Sequence, residues 1–192
     1  MSQPVLQIIV GSTRPIRSGG IVADWFLGQA KECGHFDVKM TDLRELDLPL
    51  MNEPKHPSLQ QYQYEHTKKW AGIVEEADVF VFVIPEYNFS YPASVKNALD
   101  YLVKEWANKA AGTVSYGGIS GGLRASNDLK SVANALSIYM APEFVMLPNV
   151  YERIQGETLI ADKDLNESAQ TLLKYLAELD QDLRPRRIRR HH

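Results

Sequence analysis

The stretch that decides the fold is VFVFVIPEYNFSYPASVKNALDYL, residues 79–102. Its first six residues are apolar without polar alternation, which is typical of a β-strand covered on both faces, as in a parallel sheet. Apolar residues then recur at helical spacing after Pro92, and proline is tolerated in the first turn of a helix. The stretch therefore predicts a strand, a turn and a helix in succession.

The same order of strand and helix repeats along the chain. The other predicted strands cover residues 5–10, 36–43, 112–115 and 144–147, and one predicted helix covers residues 59–76 behind a capping box at Ser58 and Gln61. Five such units predict a parallel sheet with right-handed crossovers and helices on both faces. Five strands favour the order 2-1-3-4-5 over the six-stranded dinucleotide-binding fold. The predicted fold class is thus α/β, a flavodoxin-like three-layer sandwich.

The composition is that of an ordinary globular domain and excludes several classes of site. Hydrophobic residues make up 44% of the 192 residues, and the single cysteine, Cys33, excludes an internal disulfide framework and a multi-cysteine zinc site. His35, His56 and His66 lie on separate segments without metal-ligand spacing, so no metal is predicted. No apolar run is long enough for a membrane span and the first residues do not resemble a secretory signal, so we expect a cytoplasmic location.

The charge is distributed unevenly. Residues 184–192, RPRRIRRHH, hold five arginines, and without those five the formal charge falls from -3 to -8. An acidic body repels phosphate backbones, so we expect no nucleic-acid partner. We interpret residues 1–183 as one domain and residues 184–192 as a basic tail. The tail is either a solvated terminus or an arm that binds an anion or a partner.

In such a sheet, ligands bind at the carboxyl ends of the strands, where the strand order reverses. The loop after the first predicted strand reads GSTRPIRSGG, residues 11–20, and opens directly into a helix. Hydroxyls of Ser12, Thr13 and Ser18, the charges of Arg14 and Arg17 and the free N–H groups of a helix start suit a phosphate monoester. Two arginines at this helix end would oppose the helix dipole unless an anion lay between them.

The loops after the third and fourth predicted strands complete the site. PEYNFSYP, residues 85–92, places aromatic and amide groups at the same sheet edge, which suits a flat ligand. SYGGISGGLRA, residues 115–125, has four glycines where a ligand would approach the backbone. Its Arg124, near a helix start, needs an anionic partner, either a nucleotide phosphate or a carboxylate of another subunit. The irregular residues 45–58 are predicted to form a mobile flap beside the site.

A phosphate site, an aromatic edge and a glycine-rich floor together fit a phosphorylated planar cofactor such as FMN. The three loop sequences, with DLPL at residues 47–50, resemble the NADPH-dependent FMN reductase family over nearly the whole chain. That family has a flavodoxin-like fold and includes quinone, azo and chromate reductases. The resemblance implies bound FMN, NADPH or NADH as hydride donor, and a homodimer or homotetramer with residues 96–102 near the interface.

The resemblance also assigns site residues. Ser12, Arg14 and residues 17–21 would hold the FMN phosphate, residues 85–88 would line the isoalloxazine ring, and residues 115–118 would cover its other edge. Together with Thr13, the predicted cofactor-binding residues are Ser12, Thr13, Arg14, Arg17, Ser18, Gly19, Gly20, Ile21, Pro85, Glu86, Tyr87, Asn88, Ser115, Tyr116, Gly117 and Gly118.

The predicted function is transfer of hydride from NAD(P)H through FMN to quinones, free flavin or similar small acceptors. Such transfer needs little acid–base chemistry from the protein, so no catalytic side chain is predicted. The alternative is a non-catalytic flavodoxin-like electron carrier or a flavin-sensing adaptor. The arginines of the phosphate loop argue against a carrier, because flavodoxins usually hold phosphate with a Thr- and Ser-rich loop.

Overall fold

The computed structural model describes residues 3–188 of the chain. Its strands are β1 (Val5–Val10), β2 (Asp37–Asp42), β3 (Val79–Pro85), β4 (Ala110–Tyr116), β5 (Tyr139–Met140), β6 (Val145–Leu147), β7 (Ile154–Gln155) and β8 (Thr158–Leu159). Its α-helices are α1 (Gly19–Cys33), α2 (Leu43–Leu46), α3 (Glu65–Glu76), α4 (Ala93–Asp100), α5 (Leu123–Ala135) and α6 (Lys163–Ile188).

The main sheet is parallel and has the predicted order. The strands follow the sequence β2-β1-β3-β4-β5, and β6 also pairs with β4. The fifth position of the sheet is therefore shared: β5 pairs with the start of β4 and β6 with its end. Pro142, which lacks an N–H group for the ladder, lies between the two short strands. The prediction of one strand over residues 144–147 thus found only the second half of this edge.

Helices cover both faces of the sheet and form the predicted three layers. Side chains alternate along the strands, so Ile8 and Val81 pack on the face of α1 and α6, whereas Phe80 and Phe82 pack on the face of α3, α4 and α5. All seven residues of β3 are buried. This explains why its sequence is continuously apolar, as the central strands of a doubly covered sheet require.

Two helices differ from their predicted bounds. The helix predicted to begin at residue 59 begins at Glu65, because the Glu53 carboxylate accepts the N–H groups of Gln63 and Tyr64 and holds this part of the chain outside the helix. Residues 184–188, assigned from sequence to a tail, continue α6, whose Arg187 pairs with Asp180 and Asp78. Residues 189–192 of the predicted tail lie outside the described residues.

Within residues 3–188, no helix combines the length and apolar character needed to cross a membrane. Over the same range, no group of three or more His, Cys, Asp or Glu side chains gathers in a way that could hold a metal ion.

Candidate functional site

The structure brings the three predicted loops together at the carboxyl edge of the sheet. The N–H group of Gly11 donates to the carbonyl of Val83 at 2.9 Å, joining the ends of β1 and β3. The Ser12 hydroxyl lies 2.7 Å from the Tyr87 hydroxyl, and the Glu86 N–H group donates to the Tyr116 carbonyl at 3.1 Å. The loops after β1, β3 and β4 therefore form one continuous surface.

The loop after β1 divides into a buried start and an exposed middle. Ser12 is fully buried, whereas Thr13 and Arg14 are exposed. Arg14 forms no hydrogen bond or ion pair with any residue between 3 and 188. Its charge is therefore available to a ligand, and its contact with a phosphate stays a prediction.

Arg17, in contrast, already has an anionic partner within the chain. One guanidinium nitrogen donates to Asp42 Oδ1 at 2.8 Å and the other contacts Asp42 Oδ2, while the side chain also donates to the Ser12 carbonyl. Asp42 ends β2, the neighbour of β1, so its carboxylate lies beside the phosphate loop. Sequence analysis inspected only the loops after three strands and missed this residue, although the strand order 2-1 places it here.

The helix N-terminus behind this loop has no side-chain cap. Ser18, the N-cap of α1, makes no side-chain hydrogen bond to the first turn. The N–H groups of Gly19, Gly20 and Ile21 therefore begin the helix without intrahelical partners, and the positive end of the helix dipole lies at this point. Such an end favours an anion.

A tight turn follows β3, which ends at the buried Pro85. Tyr87 and Ser90 exchange two backbone hydrogen bonds, of 2.8 and 3.0 Å, around Asn88 and Phe89. Both central residues have positive φ, 49° and 70°, the geometry of a type I′ turn. A bulky residue such as Phe89 rarely adopts this backbone region, so the turn stores strain at the site edge.

Glu86 and Arg124 pair across the edge of the site. The Glu86 side chain is 8% exposed and accepts from both the backbone N–H of Arg124, at 3.1 Å, and the Arg124 guanidinium. Burial acts to raise the pKa of Glu86, but hydrogen bonds from Arg124 and Ser120 outweigh it and hold the pKa below its usual value. Both partners predicted for Arg124 from sequence were therefore wrong: its anion is a carboxylate of the same chain.

The residues after β4 form the floor. The Ser115 hydroxyl donates to the Gly121 carbonyl at 2.9 Å, so it holds its own loop in place. Gly118 is exposed and Gly117 half-buried. Gly122 precedes α5 with φ of 86°, and a Cβ there would lie 2.6 Å from the Ser115 Cβ, so this close approach requires glycine.

Residues 45–58, the predicted flap, border the same surface. A cavity of about 350 Å³ lies between Thr13, Leu48, Leu50 and α4. Asn97 of α4 holds the segment, since its amide donates to the Pro49 carbonyl at 2.7 Å and accepts from the Met51 N–H at 2.8 Å. The mobility of this segment stays a prediction.

The parallel order 2-1-3-4-5, with an uncapped helix N-terminus after the first strand, defines the class of protein: a flavodoxin-like α/β domain. The fold neighbours agree. The flavoenzyme NAD(P)H:(acceptor) oxidoreductase FerB from Paracoccus denitrificans aligns with a TM-score of 0.69 at 20% identity, covering 93% of this chain and 98% of that one.

Sequence comparison then assigns the family. Residues 5–152 match the NADPH-dependent FMN reductase family, and the chain belongs to it. An NAD(P)H-dependent FMN reductase of Schizosaccharomyces pombe is 43% identical over 141 residues, 72% of this chain and 70% of that protein. An NAD(P)H:quinone oxidoreductase of Solanum tuberosum is 32% identical over 114 residues, 55% of this chain and 58% of that protein.

The site fits the phosphate end of FMN. An uncapped helix N-terminus, the unpaired Arg14 and a buried hydroxyl on Tyr116 without a partner among the described residues all lie around one loop. These are donors without acceptors, and a phosphate supplies acceptor oxygens only. The chemistry of the donor set therefore agrees with the cofactor of the family.

Proposed function

We propose that this protein is an FMN-dependent oxidoreductase that takes hydride from NAD(P)H and passes reducing equivalents to quinones, free flavin or similar small acceptors. The observation that carries the proposal is the set of unpaired donors at the N-terminus of α1, in a chain of the FMN reductase family. The class of acceptor rests on the relatives, since those from Solanum tuberosum and Schizosaccharomyces pombe are a quinone oxidoreductase and an FMN reductase.

The residues of the first loop bind the phosphate in this proposal. Arg14 supplies a charge-assisted contact, and the N–H groups of residues 19–21 supply oriented donors that need no reorganisation. Arg17 acts differently from the sequence prediction. Through Asp42 and the Ser12 carbonyl it holds the loop closed, so it positions the binding groups rather than providing a free charge.

The other two loops orient the ring. The type I′ turn at residues 87–90 presents the backbone of Asn88, and the Glu86–Arg124 pair fastens this turn to α5. Gly117 and Gly118 leave the opposite edge free of side chains. Bound FMN supplies the redox chemistry of the site. The chain contributes binding and orientation, and no side chain here is required as an acid or base.

Oxidation of NAD(P)H by the FMN-loaded protein tests the proposal. We expect saturable turnover with a soluble quinone, and none with the same protein stripped of flavin. Absence of turnover with quinone, azo dye and oxygen would refute the reductase function. Tight FMN binding without turnover would favour the electron carrier instead.

We also propose that the protein is a homodimer or homotetramer in the cytoplasm. Large apolar side chains support an interface at the carboxyl edge, since Ile16 and Ile119 are about 90% exposed and Phe89 is 66% exposed. The sequence further predicts that residues 96–102 lie near it. Sedimentation equilibrium measures the assembly, and a purely monomeric protein at micromolar concentration would contradict it. Fractionation of cells tests the location.

A further inference from the structure

The Tyr116 side chain ends in a hydroxyl that nothing in the described part of the chain pairs. Tyr116 is the last residue of β4, 5% exposed, and its oxygen has no hydrogen-bond partner among residues 3–188. The sequence did not predict where this hydroxyl lies. A Cβ built on Gly19 would lie 2.5 Å from the Tyr116 oxygen, so the hydroxyl reaches the first turn of α1.

The neighbouring groups do not satisfy this hydroxyl. Ser12 Oγ lies close enough to act against the raised pKa of Tyr116, but it is engaged with the Tyr87 hydroxyl at 2.7 Å, and its geometry toward Tyr116 is not that of a hydrogen bond. Burial, with the Tyr87 phenol adding to it, raises the pKa of Tyr116 above its ordinary value. The phenol therefore keeps its proton at neutral pH and is available as a donor.

Two independent features thus meet at one point. The first turn of α1 offers N–H groups without a capping side chain, and the Tyr116 hydroxyl points into the same place from the sheet below. Buried polar groups in folded proteins are nearly always paired, and an unpaired one requires an explanation. A ligand with several acceptor oxygens satisfies both features at once.

We infer that the Tyr116 hydroxyl donates to the phosphate of FMN and that it makes the site select phosphorylated flavin over riboflavin. The inference rests on the proposed function and changes one part of it. The resemblance to the family placed Tyr116 at the ring edge, whereas its side chain extends to the first turn of α1, where the phosphate would bind. Gly19 has a specific role in this arrangement, because any side chain there would take the space of the hydroxyl.

The test is the variant Tyr116→Phe, which removes one oxygen and keeps the ring. Dissociation constants for FMN and for riboflavin are measured with the apoprotein by fluorescence titration. We expect the FMN constant to rise about tenfold, as loss of a hydrogen bond to a charged group predicts, and the riboflavin constant to change less than twofold. The apoprotein of the variant should unfold at the same temperature as wild type or higher, because an unpaired buried hydroxyl is gone.

Tyr62→Phe is the matched control. The Tyr62 hydroxyl is paired, donating to Glu105 Oε1 at 2.7 Å, and Tyr62 packs on the opposite face of the sheet from Tyr116. This variant should lower the unfolding temperature and leave both flavin constants unchanged. Tyr116→Phe should therefore weaken FMN binding without loss of stability, and Tyr62→Phe should lower stability without a change in FMN binding.

Four results would overturn the inference. Equal losses of FMN and riboflavin affinity would place Tyr116 at the ring or in a structural role, as would a lower unfolding temperature of the Tyr116→Phe apoprotein. Unchanged FMN affinity, with wild type binding FMN, would refute the inference alone. Failure of wild-type protein to bind either flavin would refute the proposed function together with it.

Discussion

The carboxyl edge and the amino edge of the sheet differ in whether their polar groups have partners within the chain. At the carboxyl edge, Arg14, the Tyr116 hydroxyl and the first turn of α1 have no partners within the described chain. At the amino edge, Asp180 is fully buried yet accepts from both Arg184 and Arg187. One edge thus retains unpaired donors, while the other pairs its buried charges.

Lys109 is a second buried charge at the amino edge whose hydrogen bonds are made within the chain. It precedes β4, is 6% exposed and donates to the carbonyls of Val74 and Glu75 at 2.6 and 3.0 Å, where α3 ends. A cation at a helix C-terminus is favourable. Burial, with the nearby Arg187 adding to it, lowers the pKa of Lys109 to about 8.

Unpaired donors are what a binding surface requires, and paired buried charges are what stabilise a fold, so the two edges have different roles in our proposal. The larger cavity, about 1000 Å³, lies at the amino edge, beside Lys109 and Arg187, and contains none of the predicted site residues. Cavity size alone would therefore choose the edge opposite the proposed site. Several unpaired donors around one loop indicate where a ligand binds, because leaving them unpaired costs free energy. The buried Trp106 Nε1 also lacks a partner among residues 3–188, but it stands alone against the rings of Trp70, Phe80 and Phe82.

The largest expected effect tests the amino edge. Replacing Asp180 by alanine leaves Arg184 and Arg187 without their shared buried carboxylate, so the free energy of unfolding should fall by about 3–5 kcal/mol. Urea denaturation measures it. Asp182→Ala, at an exposed position of the same helix, is the control and should change stability by less than about 0.5 kcal/mol. FMN affinity should stay unchanged in both, and a loss of less than about 1 kcal/mol for Asp180→Ala would contradict the comparison.

The second effect is a pH dependence from Lys109. Its pKa of about 8 in the folded protein lies below that of an unfolded lysine, so between pH 8 and about 10.4 only the unfolded chain binds this proton. Stability from this group therefore rises with pH across that window, on the order of 3 kcal/mol in total, and is constant below it. Denaturation curves at several pH values should show this rise in wild type relative to Lys109→Met. Parallel curves would contradict the lowered pKa.

The third effect tests the carboxyl edge. Arg14→Ala removes a charge-assisted contact worth roughly 1.5–3 kcal/mol, so FMN affinity should fall about tenfold or more. Stability of the apoprotein should hardly change, since Arg14 pairs with no described residue. Lys31→Ala, an exposed cation in the last turn of α1, controls for general charge effects on FMN binding. Equal FMN affinity in wild type and Arg14→Ala would remove Arg14 from the site.

The smallest expected effect concerns an ion pair on the protein surface, outside both edges of the sheet. Lys68 and Glu65 pair on the surface of α3 with side chains 49% and 88% exposed. Lys68→Ala should change the free energy of unfolding by less than about 0.5 kcal/mol, because water screens such pairs. If Lys68→Ala lowered the free energy of unfolding as much as Asp180→Ala, burial would not explain why the ion pairs of the amino edge are strong.

The sequence predicted that three loops meet at one edge, because the strands of a doubly covered parallel sheet are continuous apolar runs that can be recognised in the chain. Apolar runs at residues 5–10 and 79–84 predicted adjacent buried strands, and the carboxyl ends of parallel strands meet at one edge. It misjudged the partners of Arg17 and Arg124. Asp42 is 25 residues from Arg17, and Glu86 is 38 residues from Arg124, and no local pattern connects such positions.

The sequence by itself determined the fold class, the strand order and the family, and it predicted the loops of the candidate site, since periodicity and loop composition are local properties of the chain. Only the tertiary structure decided which charges are already paired within the protein and which remain for a ligand. It separated Arg14 from Arg17 and placed the Tyr116 hydroxyl beneath Gly19. Pairing depends on distances across strands and helices far apart in sequence, and those distances exist only once the chain has folded.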